Sequence, residues 1–456
     1  MLSLVLGVLY AAVNPPFAVN DERRHLGRAR ELSSGRLLTG GPQGGFRQAS
    51  RVPEGYWHLI KRYEDLAFNS KDRVVLPVLF DDLTTRSELT APIWVQGGAG
   101  GYGPIPYVPA IVGIWIARFL HTPYLWHLYL ARLSSLVACT ILGAYAVKAA
   151  GRFKWPIAVF GLGPMFLTQA AGVDADALVD ALGLVFFALL ARSFDPKSSL
   201  SVRERHLLVL SVVLMALCKP IYAVMAFALL ALPGSPGRPR WTGGIRPMLA
   251  AAGIAGAGAL SWSWLSRETQ SIYKWDPGAQ LGWLLAHKSE IPGIVGSTLL
   301  RSGRQLILQG VAGRDTIVRD MGLVSHFAAF TFILVLIAVS SGVLRGVVPP
   351  GWSRHWRATW LAVQWLGVAA GVMLAMYLTF TPLGAGSIRG IHGRYFLPAV
   401  PGLLLILAMY GRPTLARWLT QKGGRWVLIA VVGVNVVILS TLIGRYYASP
   451  KLPWLF

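Results

Sequence analysis

Cysteine and acidic residues are both scarce in this sequence. The chain has two cysteines among 456 residues, Cys139 and Cys218, and each lies inside an apolar run. This excludes a disulfide framework and gives no basis for a cysteine metal site. Only 14% of the residues are charged and 20 are Asp or Glu, which excludes an ordinary soluble enzyme. The sequence also lacks a Walker-type or dinucleotide-binding glycine loop and an HExxH motif, so soluble nucleotide chemistry is not indicated.

Apolar residues dominate what is present. They make up 54% of the chain, the mean hydropathy is +0.51, and runs long enough to cross a bilayer recur along almost the whole length. The formal net charge of +23 could suggest nucleic acid in a soluble protein. Here the basic residues fall largely between apolar runs, where membrane topology and anionic lipid headgroups explain them. The composition predicts an all-α polytopic integral membrane protein.

The basic residues also predict an orientation in the membrane. One set of connectors carries seventeen Lys and Arg residues, whereas the alternating set carries three, namely Lys219, Arg389 and Arg394. By the positive-inside rule the first set is cytoplasmic. The N-terminus then lies inside, and two long loops, 14–125 and 266–322, lie outside.

We expect about eleven transmembrane helices, within a range of ten to thirteen. The first run, Leu2 to Val13, is interpreted as a retained signal anchor. The proline-rich apolar segment 104–120 either spans the membrane or lies in the interface. Because each spanning helix moves the chain to the other side, the topology assigned above requires that this segment does not cross, which favours an interfacial helix. The chain divides into an N-terminal catalytic module with the first external loop, the second external loop, and C-terminal transmembrane helices (1–265, 266–322 and 323–456).

A dense polar cluster follows the first apolar run. Asp21, Glu22, Arg23, Arg24 and His25 occupy five consecutive positions beside a membrane segment. Such a cluster suggests a functional site. The alternative is a solvated helix start, because Asn20 is a good N-cap and acidic residues suit a first helical turn.

Two other polar groups interrupt apolar runs at the same predicted external face. Asp174 and Asp176 precede a helix and either cap it or face a cavity, and Asp180 follows one turn later. Lys219, before Pro220, either extends to the headgroups or binds a lipid phosphate, with Tyr222 nearby. The common location of these groups favours one external active site.

A late segment, GIHGRYFLP at 390–398, has similar features. His392, Arg394 and Tyr395 open a predicted span, and the arginine suits bidentate phosphate binding. The alternative, an aromatic anchor in the membrane interface, would explain Tyr395 but not His392 and Arg394. Tyr102 and Tyr107 lie in a loop that leads to the interface, and Arg132 lies near the outer end of its span.

Taken in order, these motifs resemble a known family. They are DERRHLGRARELSSG, YGPIPYVPA followed by ARLSSL, DADALVDALG, KPIY and GIHGRYFLPAVP. The sequence is similar over nearly its whole length to an uncharacterised bacterial family of polytopic membrane proteins related to the GT-C glycosyltransferases. It departs from many relatives at Asn20, where they have proline, and the carboxylates are in place.

The resemblance implies a GT-C-like fold and a catalytic carboxylate in the first external loop, so that Asp21 or Glu22 is the base. It implies an enzyme that moves a sugar from a polyprenyl-phosphate donor to a glycan, lipid or protein acceptor. A leaving phosphate requires cations, and the substrate- or phosphate-binding candidates are His25, Arg28, Lys219, Tyr222, His392, Arg394 and Tyr395. Supporting residues are Asp174, Asp176, Asp180, Tyr102, Tyr107 and Arg132.

We therefore expect a multi-pass protein of the bacterial inner membrane, with a cytoplasmic N-terminus and an active site that faces the periplasm or exterior. Its role would lie in cell-envelope polysaccharide or glycoprotein assembly. The sequence requires no cofactor, and the Asp174/Asp176 pair is only a generic candidate for a divalent metal. The alternative is a transporter or flippase of a lipid-linked or anionic substrate. Internal repeats and midplane charges would indicate it, and the sequence shows neither.

Overall fold

The computed structural model is predominantly helical. It describes residues 1–19, 21–40, 49–69, 72–96, 99–233, 242–267, 275–312, 323–421 and 423–448. Helices account for 75% of it, and this part of the chain contains 18 α-helices. The predicted N-cap residue Asn20 lies outside the described residues.

The α-helices, numbered in chain order, have the following bounds: α1 Leu2–Val13, α2 Glu22–Leu32, α3 Glu54–Tyr63, α4 Leu76–Thr84, α5 Val108–Phe119, α6 Tyr124–Ala149, α7 Lys154–Gly161, α8 Pro164–Ala170, α9 Ala177–Ser193, α10 Val202–Cys218, α11 Thr242–Leu265, α12 Pro277–Ala286, α13 Ile291–Ala312, α14 Leu323–Ser340, α15 Trp352–Phe380, α16 Val400–Tyr410, α17 Pro413–Gln421 and α18 Gly424–Tyr447. Six 3₁₀ segments are described as well: Glu64–Ala67, Ile105–Tyr107, Gly151–Phe153, Pro220–Ala231, Lys288–Glu290 and Gly393–Ala399.

Five helical stretches in the described residues are long and apolar enough to cross a membrane: Tyr124–Ala149, Gly243–Leu265, Trp352–Phe380, Gly393–Tyr410 and Gly424–Tyr447. The last but one joins a 3₁₀ turn to α16. The expected helical membrane protein is confirmed to this extent. The count of about eleven spans stays a prediction, because several predicted spans are shorter helices here, such as α9 and α10.

The predicted first external loop is a folded unit that packs against the N-terminal half of α6. A two-stranded antiparallel sheet, β1 Ala49–Pro53 and β2 Pro92–Gln96, packs with α2 and α3. The segment after it forms α5, whose 12 residues extend about 18 Å and are too short to cross the hydrocarbon. Trp115 and Arg118 of α5 donate to backbone carbonyls of α2 and the residue after it. The length of α5 is compatible with an interfacial helix, and its position in a membrane stays a prediction.

The second predicted external loop differs from the expectation. Two helices, α12 and α13, occupy much of it. Helix α13 packs against α8, α14 and the 3₁₀ segment Gly393–Ala399, and it buries Ile294, Thr298 and Leu306. Arg301 and Arg304 gave this stretch the polarity of a loop, although its apolar residues recur at helical spacing.

Helices α9 and α10 connect two ends of the molecule. At one end Arg192 pairs with Glu204 at 2.6 Å, and Arg152 approaches Asp195 at 3.8 Å. These ion pairs join the connectors that the sequence predicts to be cytoplasmic. Each helix has 17 residues, about 26 Å, close to the hydrocarbon thickness of a bilayer. The opposite ends of the two helices carry Asp176 and Lys219.

Candidate functional site

The backbone at the start of α2 separates the two adjacent carboxylates. Asp21 has a left-handed conformation, φ 53° and ψ 11°, which Asp tolerates better than most residues. Strained conformations of this kind concentrate at functional sites. The Asp21 side chain is 47% exposed, whereas that of Glu22 is 0% exposed. The two candidate bases therefore occupy opposite environments.

Glu22 belongs to a buried ion pair. Arg132 donates to Glu22 through Nε at 2.8 Å and Nη2 at 2.5 Å, in the bidentate geometry typical of strong pairs. The backbone N–H of Val173 also donates to Glu22 Oε1 at 3.2 Å. Arg132 in turn donates to the carbonyls of Ala11, Asn14 and Pro15. Glu22 and Arg132 thus hold together the end of α1, the start of α2 and α6.

Asp21 instead joins three residues that are distant in the sequence. Arg394 Nη2 donates to Asp21 Oδ2 at 3.2 Å, and Arg394 Nε lies 3.4 Å from Asp176 Oδ2. Lys219 Nζ donates to Asp176 Oδ1. We call Asp21, Asp176, Lys219 and Arg394 the ionic cluster. It brings together four of the residues that the sequence placed at one membrane face.

Local sequence explains how these side chains meet. Lys219 ends α10 in an extended conformation, φ −145° and ψ 112°, as expected for the residue before a proline. Asp174 Oδ1 accepts from the N–H groups of Asp176 and Ala177 and so caps the first turn of α9. The capping interpretation therefore holds for Asp174, and it leaves the Asp176 carboxylate for the two cations.

Tyrosine rings surround the ionic cluster. Lys219 Nζ lies 5.1 Å from the centre of the Tyr395 ring and 5.8 Å from that of Tyr102. The Arg394 guanidinium lies 5.2 Å from the Tyr395 ring. Tyr222 donates to the Tyr395 carbonyl at 3.0 Å. These rings stabilise the cations and exclude water from one side of them.

His25 lies beside the cluster as a neutral group. Its Nδ1 is 2.6 Å from the Tyr107 hydroxyl, and its ring contacts Tyr102 edge-on at 5.4 Å. Burial lowers the pKa of His25 to about 4, against the opposite effect of Asp21. Burial raises the pKa of the Asp21 carboxyl, but Arg394, His25 and Arg24 lower it by more, so the pKa lies below its usual value. At neutral pH, Asp21 is ionised and His25 is not.

The remaining candidates lie around this centre. Arg28 is completely buried, and its guanidinium donates to the carbonyls of Leu37 at 2.7 Å and Tyr102 at 3.2 Å, so it supports the tyrosine loop and is not open to a phosphate. His392 contacts the Tyr395 ring edge-on at 5.5 Å. Asp180 is buried in α9, one turn after Asp176.

An apolar cavity of about 460 Å³ is lined in part by Gly393, the residue before Arg394 of the ionic cluster. Its walls come from α7, α8, α13, α14, α15 and the segment that begins at Gly393 and continues into α16, and every described lining residue is apolar. The volume lies within the range of small-molecule sites, roughly 300–1,000 Å³. The arrangement suits a ligand with an anionic group and an apolar tail.

A family model described as "Predicted membrane protein (DUF2142)" matches residues 4–403. The chain belongs to this family. The match supports the membrane character predicted from composition. No curated protein matches the chain, and no solved structure matches it.

Sequence reasoning for this DUF2142 member missed two features of the site. The first is the pairing of Glu22 with Arg132, although a lone arginine in an apolar helix requires a partner and was the available signal. The second is α13, whose Gln309 accepts from the N–H of Gly393 at 3.0 Å and fixes the segment that carries Arg394. Its position in a presumed loop concealed that contact.

Gly393 is expected to tolerate no side chain. A Cβ at this position would overlap the Leu306 carbonyl oxygen and lie 2.6 Å from the Gly310 nitrogen, and both are backbone atoms. Gly393→Ala should cost about 1–3 kcal/mol of stability and displace Arg394. Thermal unfolding in detergent measures the effect. Gly386→Ala, with nothing within 4 Å, is the matched control and should unfold like the wild type. Equal unfolding of both variants would contradict the packing described.

Proposed function

We propose that this protein is a GT-C-type membrane glycosyltransferase. It transfers a sugar from a polyprenyl-phosphate donor to an envelope glycan, lipid or protein acceptor at the external face, and Asp21 is its general base. The resemblance allows either Asp21 or Glu22 as the base, and the environments of the two carboxylates favour Asp21. Glu22 is fully buried and bound on both oxygens, whereas Asp21 is half exposed and ionised.

One observation carries the proposal: an accessible carboxylate lies in a cluster with two cations, and the residue before one of these cations, Gly393, lines an apolar cavity. A polyprenyl phosphate has a matching shape, with a charged head and a long apolar chain. The head would lie at Arg394 and Lys219, and the chain would enter the cavity behind Gly393. Arg394 Nη1 is buried without a hydrogen-bond partner in the described residues and is a free donor for a phosphate oxygen.

The reaction then proceeds as follows. The acceptor oxygen attacks the anomeric carbon of the donor sugar while Asp21 takes the proton from the acceptor hydroxyl. The bond between the anomeric carbon and the phosphate oxygen breaks with inversion, and polyprenyl phosphate leaves with the bonding electron pair. Arg394 and Lys219 stabilise the negative charge that develops on this leaving group. Asp176 holds both cations in position.

Release of polyprenyl phosphate tests this function. Purified protein in nanodiscs would be given a panel of polyprenyl-phosphate sugars together with membrane glycan and lipid fractions as acceptors. We expect one donor to yield free polyprenyl phosphate and a glycosylated product. Donor binding without release would contradict a transferase and favour the transporter, and a counterflow assay of donor movement between the leaflets would then test that alternative.

The cavity provides a second, independent prediction. Gly303 lines it and has open space around its Cβ position, so Gly303→Leu should fill the cavity without moving the backbone. The KM for long-chain donors should rise about tenfold, because several methylene groups of the prenyl chain can no longer be buried in the cavity. Donors with a two-isoprene chain should be unaffected. Gly296→Leu, on the same helix, with equal space but outside the cavity, is the control. Equal KM values for long donors in both variants would exclude the cavity as the chain site.

A further inference from the structure

A second cavity, with several cationic residues in its walls, lies at the other end of α2, at the turn between α5 and α6. It has a volume of about 270 Å³. We call it the cationic pocket. Arg30, Arg86, Arg118, His121 and His127 line it, and no lining residue is acidic. Arg30 lies nine residues after Asp21, about 14 Å along the chain direction of α2, so the pocket is separate from the ionic cluster.

Arg30 carries a buried charge that has no acidic partner among the described residues. Its side chain lies between the rings of Tyr56 and Tyr124, at 5.0 and 5.2 Å, and the residue is 8% exposed. Its Nη1 is 2.9 Å from His127 Nδ1. Since arginine only donates, this histidine nitrogen must accept, and the imidazole is neutral. No described carboxylate lies within 4.0 Å of Arg30.

Arg118 repeats this arrangement on α5. Its guanidinium donates to the carbonyls of Ser33 at 3.2 Å and Arg30 at 3.3 Å and to Ser34 Oγ at 3.0 Å. These are neutral acceptors, so they orient the cation without compensating its charge. Burial and the neighbouring Arg30 lower the pKa of Arg118 to about 10, which leaves it protonated at neutral pH. Two fixed guanidinium groups thus face one cavity, and an anion bound there would compensate their charges and accept hydrogen bonds from both.

The surroundings of the pocket favour an anion that belongs to a lipid. Helix α5 and the residue after it expose Trp115, Phe119 and Leu120, by 54%, 82% and 56%, next to Arg118 and His121 in the sequence. Helix α4, which ends just before Arg86, exposes Leu76 and Phe80. Exposed apolar side chains on both sides of a cationic pocket are typical of a membrane-surface site, where acyl chains and a charged headgroup are bound together.

We propose that the cationic pocket binds the phosphate of an anionic phospholipid headgroup and so anchors the folded first external segment to the membrane surface. Arg118 and Arg30 contact the phosphate, and exposed Arg86 and His121 close over it. This site goes beyond the proposed transferase activity. It would act in the same way if the protein had another function.

Calorimetric titration of the purified full-length protein, in an uncharged detergent, tests the site. The probes are dihexanoyl-phosphatidylglycerol, dihexanoyl-phosphatidylcholine, inorganic phosphate and trigalacturonic acid. We expect the wild type to bind phosphatidylglycerol at least tenfold more tightly than the other three. Arg86→Gln, an exposed residue whose loss should not affect folding, should weaken binding about threefold, and Arg86→Gln with Arg118→Gln should weaken it tenfold or more. Arg203→Gln, exposed at the far end of α10, is the control and should bind like the wild type.

Three results would overturn the proposal. Unchanged phosphatidylglycerol affinity in Arg86→Gln and in the double variant would exclude the pocket. Inorganic phosphate that binds as tightly as the lipid would show that the ligand is a soluble phosphate. Tighter binding of trigalacturonic acid than of any phosphate probe, lost in Arg86→Gln, would identify an acidic glycan site instead.

Discussion

Replacing Asp21 with asparagine is expected to lower the rate of sugar transfer by about 10²–10⁴-fold, the usual contribution of a general base. The variant should remain folded, because the side chain is half exposed and its pair with Arg394 is partly open to water. Asparagine keeps the shape and accepts a hydrogen bond, but it cannot take the acceptor proton. Donor affinity should therefore change little while turnover falls. Release of polyprenyl phosphate and donor binding, measured on the same sample, separate these two effects.

The matched control for Asp21→Asn is Asp65→Asn. Asp65 is an exposed carboxylate in the same predicted external segment, after α3, and makes no described ion pair. This variant should turn over like the wild type. A rate for Asp21→Asn within about threefold of the Asp65→Asn rate would exclude Asp21 as the base, since that difference is below the contribution of any positioned base.

Replacing Glu22 with leucine is expected to have the largest effect on stability. It leaves the Arg132 guanidinium completely buried with carbonyl partners only, in the contacts with Ala11, Asn14 and Pro15. Removing one partner of a buried pair typically costs about 3–5 kcal/mol. We expect little monodisperse protein after extraction and a markedly lower midpoint of thermal unfolding for what is recovered.

The double variant Glu22→Leu/Arg132→Met distinguishes a broken pair from a simple packing defect. Without the arginine no charge is left buried, so the double variant should be more stable than Glu22→Leu alone, although the three carbonyls lose their donor. A double variant that is less stable than either single change would show that the pair is not the cause. Wild-type stability in Glu22→Leu would contradict the buried geometry altogether.

The sequence predicted the layout of the fold better than its contacts. Apolar runs and basic connectors were sufficient to predict a helical membrane protein with Asp21, Asp176, Lys219 and Arg394 at one face, and the structure brings these four into contact. Residues that share a face can pair in several ways, however. The choice depends on backbone geometry, such as the left-handed conformation that directs Asp21 and Glu22 apart, and no local pattern encodes it.

The predicted second external loop shows where a prediction from polarity alone missed a helix. Arg301 and Arg304 lowered the average hydropathy of a helix whose other side forms the cavity wall. An average over a window conceals such a helix, whereas the period of its buried residues reveals it. The cavity itself depends on segments from α7 to α16 and could not be predicted without the tertiary structure.

Electron cryo-microscopy of the protein with bound polyprenyl phosphate tests the central claim most directly. We predict density for the phosphate within hydrogen-bond distance, about 3 Å, of Arg394 and Lys219. The prenyl chain should continue past Gly393 between α13 and α14, and Asp21 should face the side of the phosphate where a sugar would be attached. A phosphate located away from Arg394, or a chain that lies outside the cavity on the surface of the protein, would contradict the account.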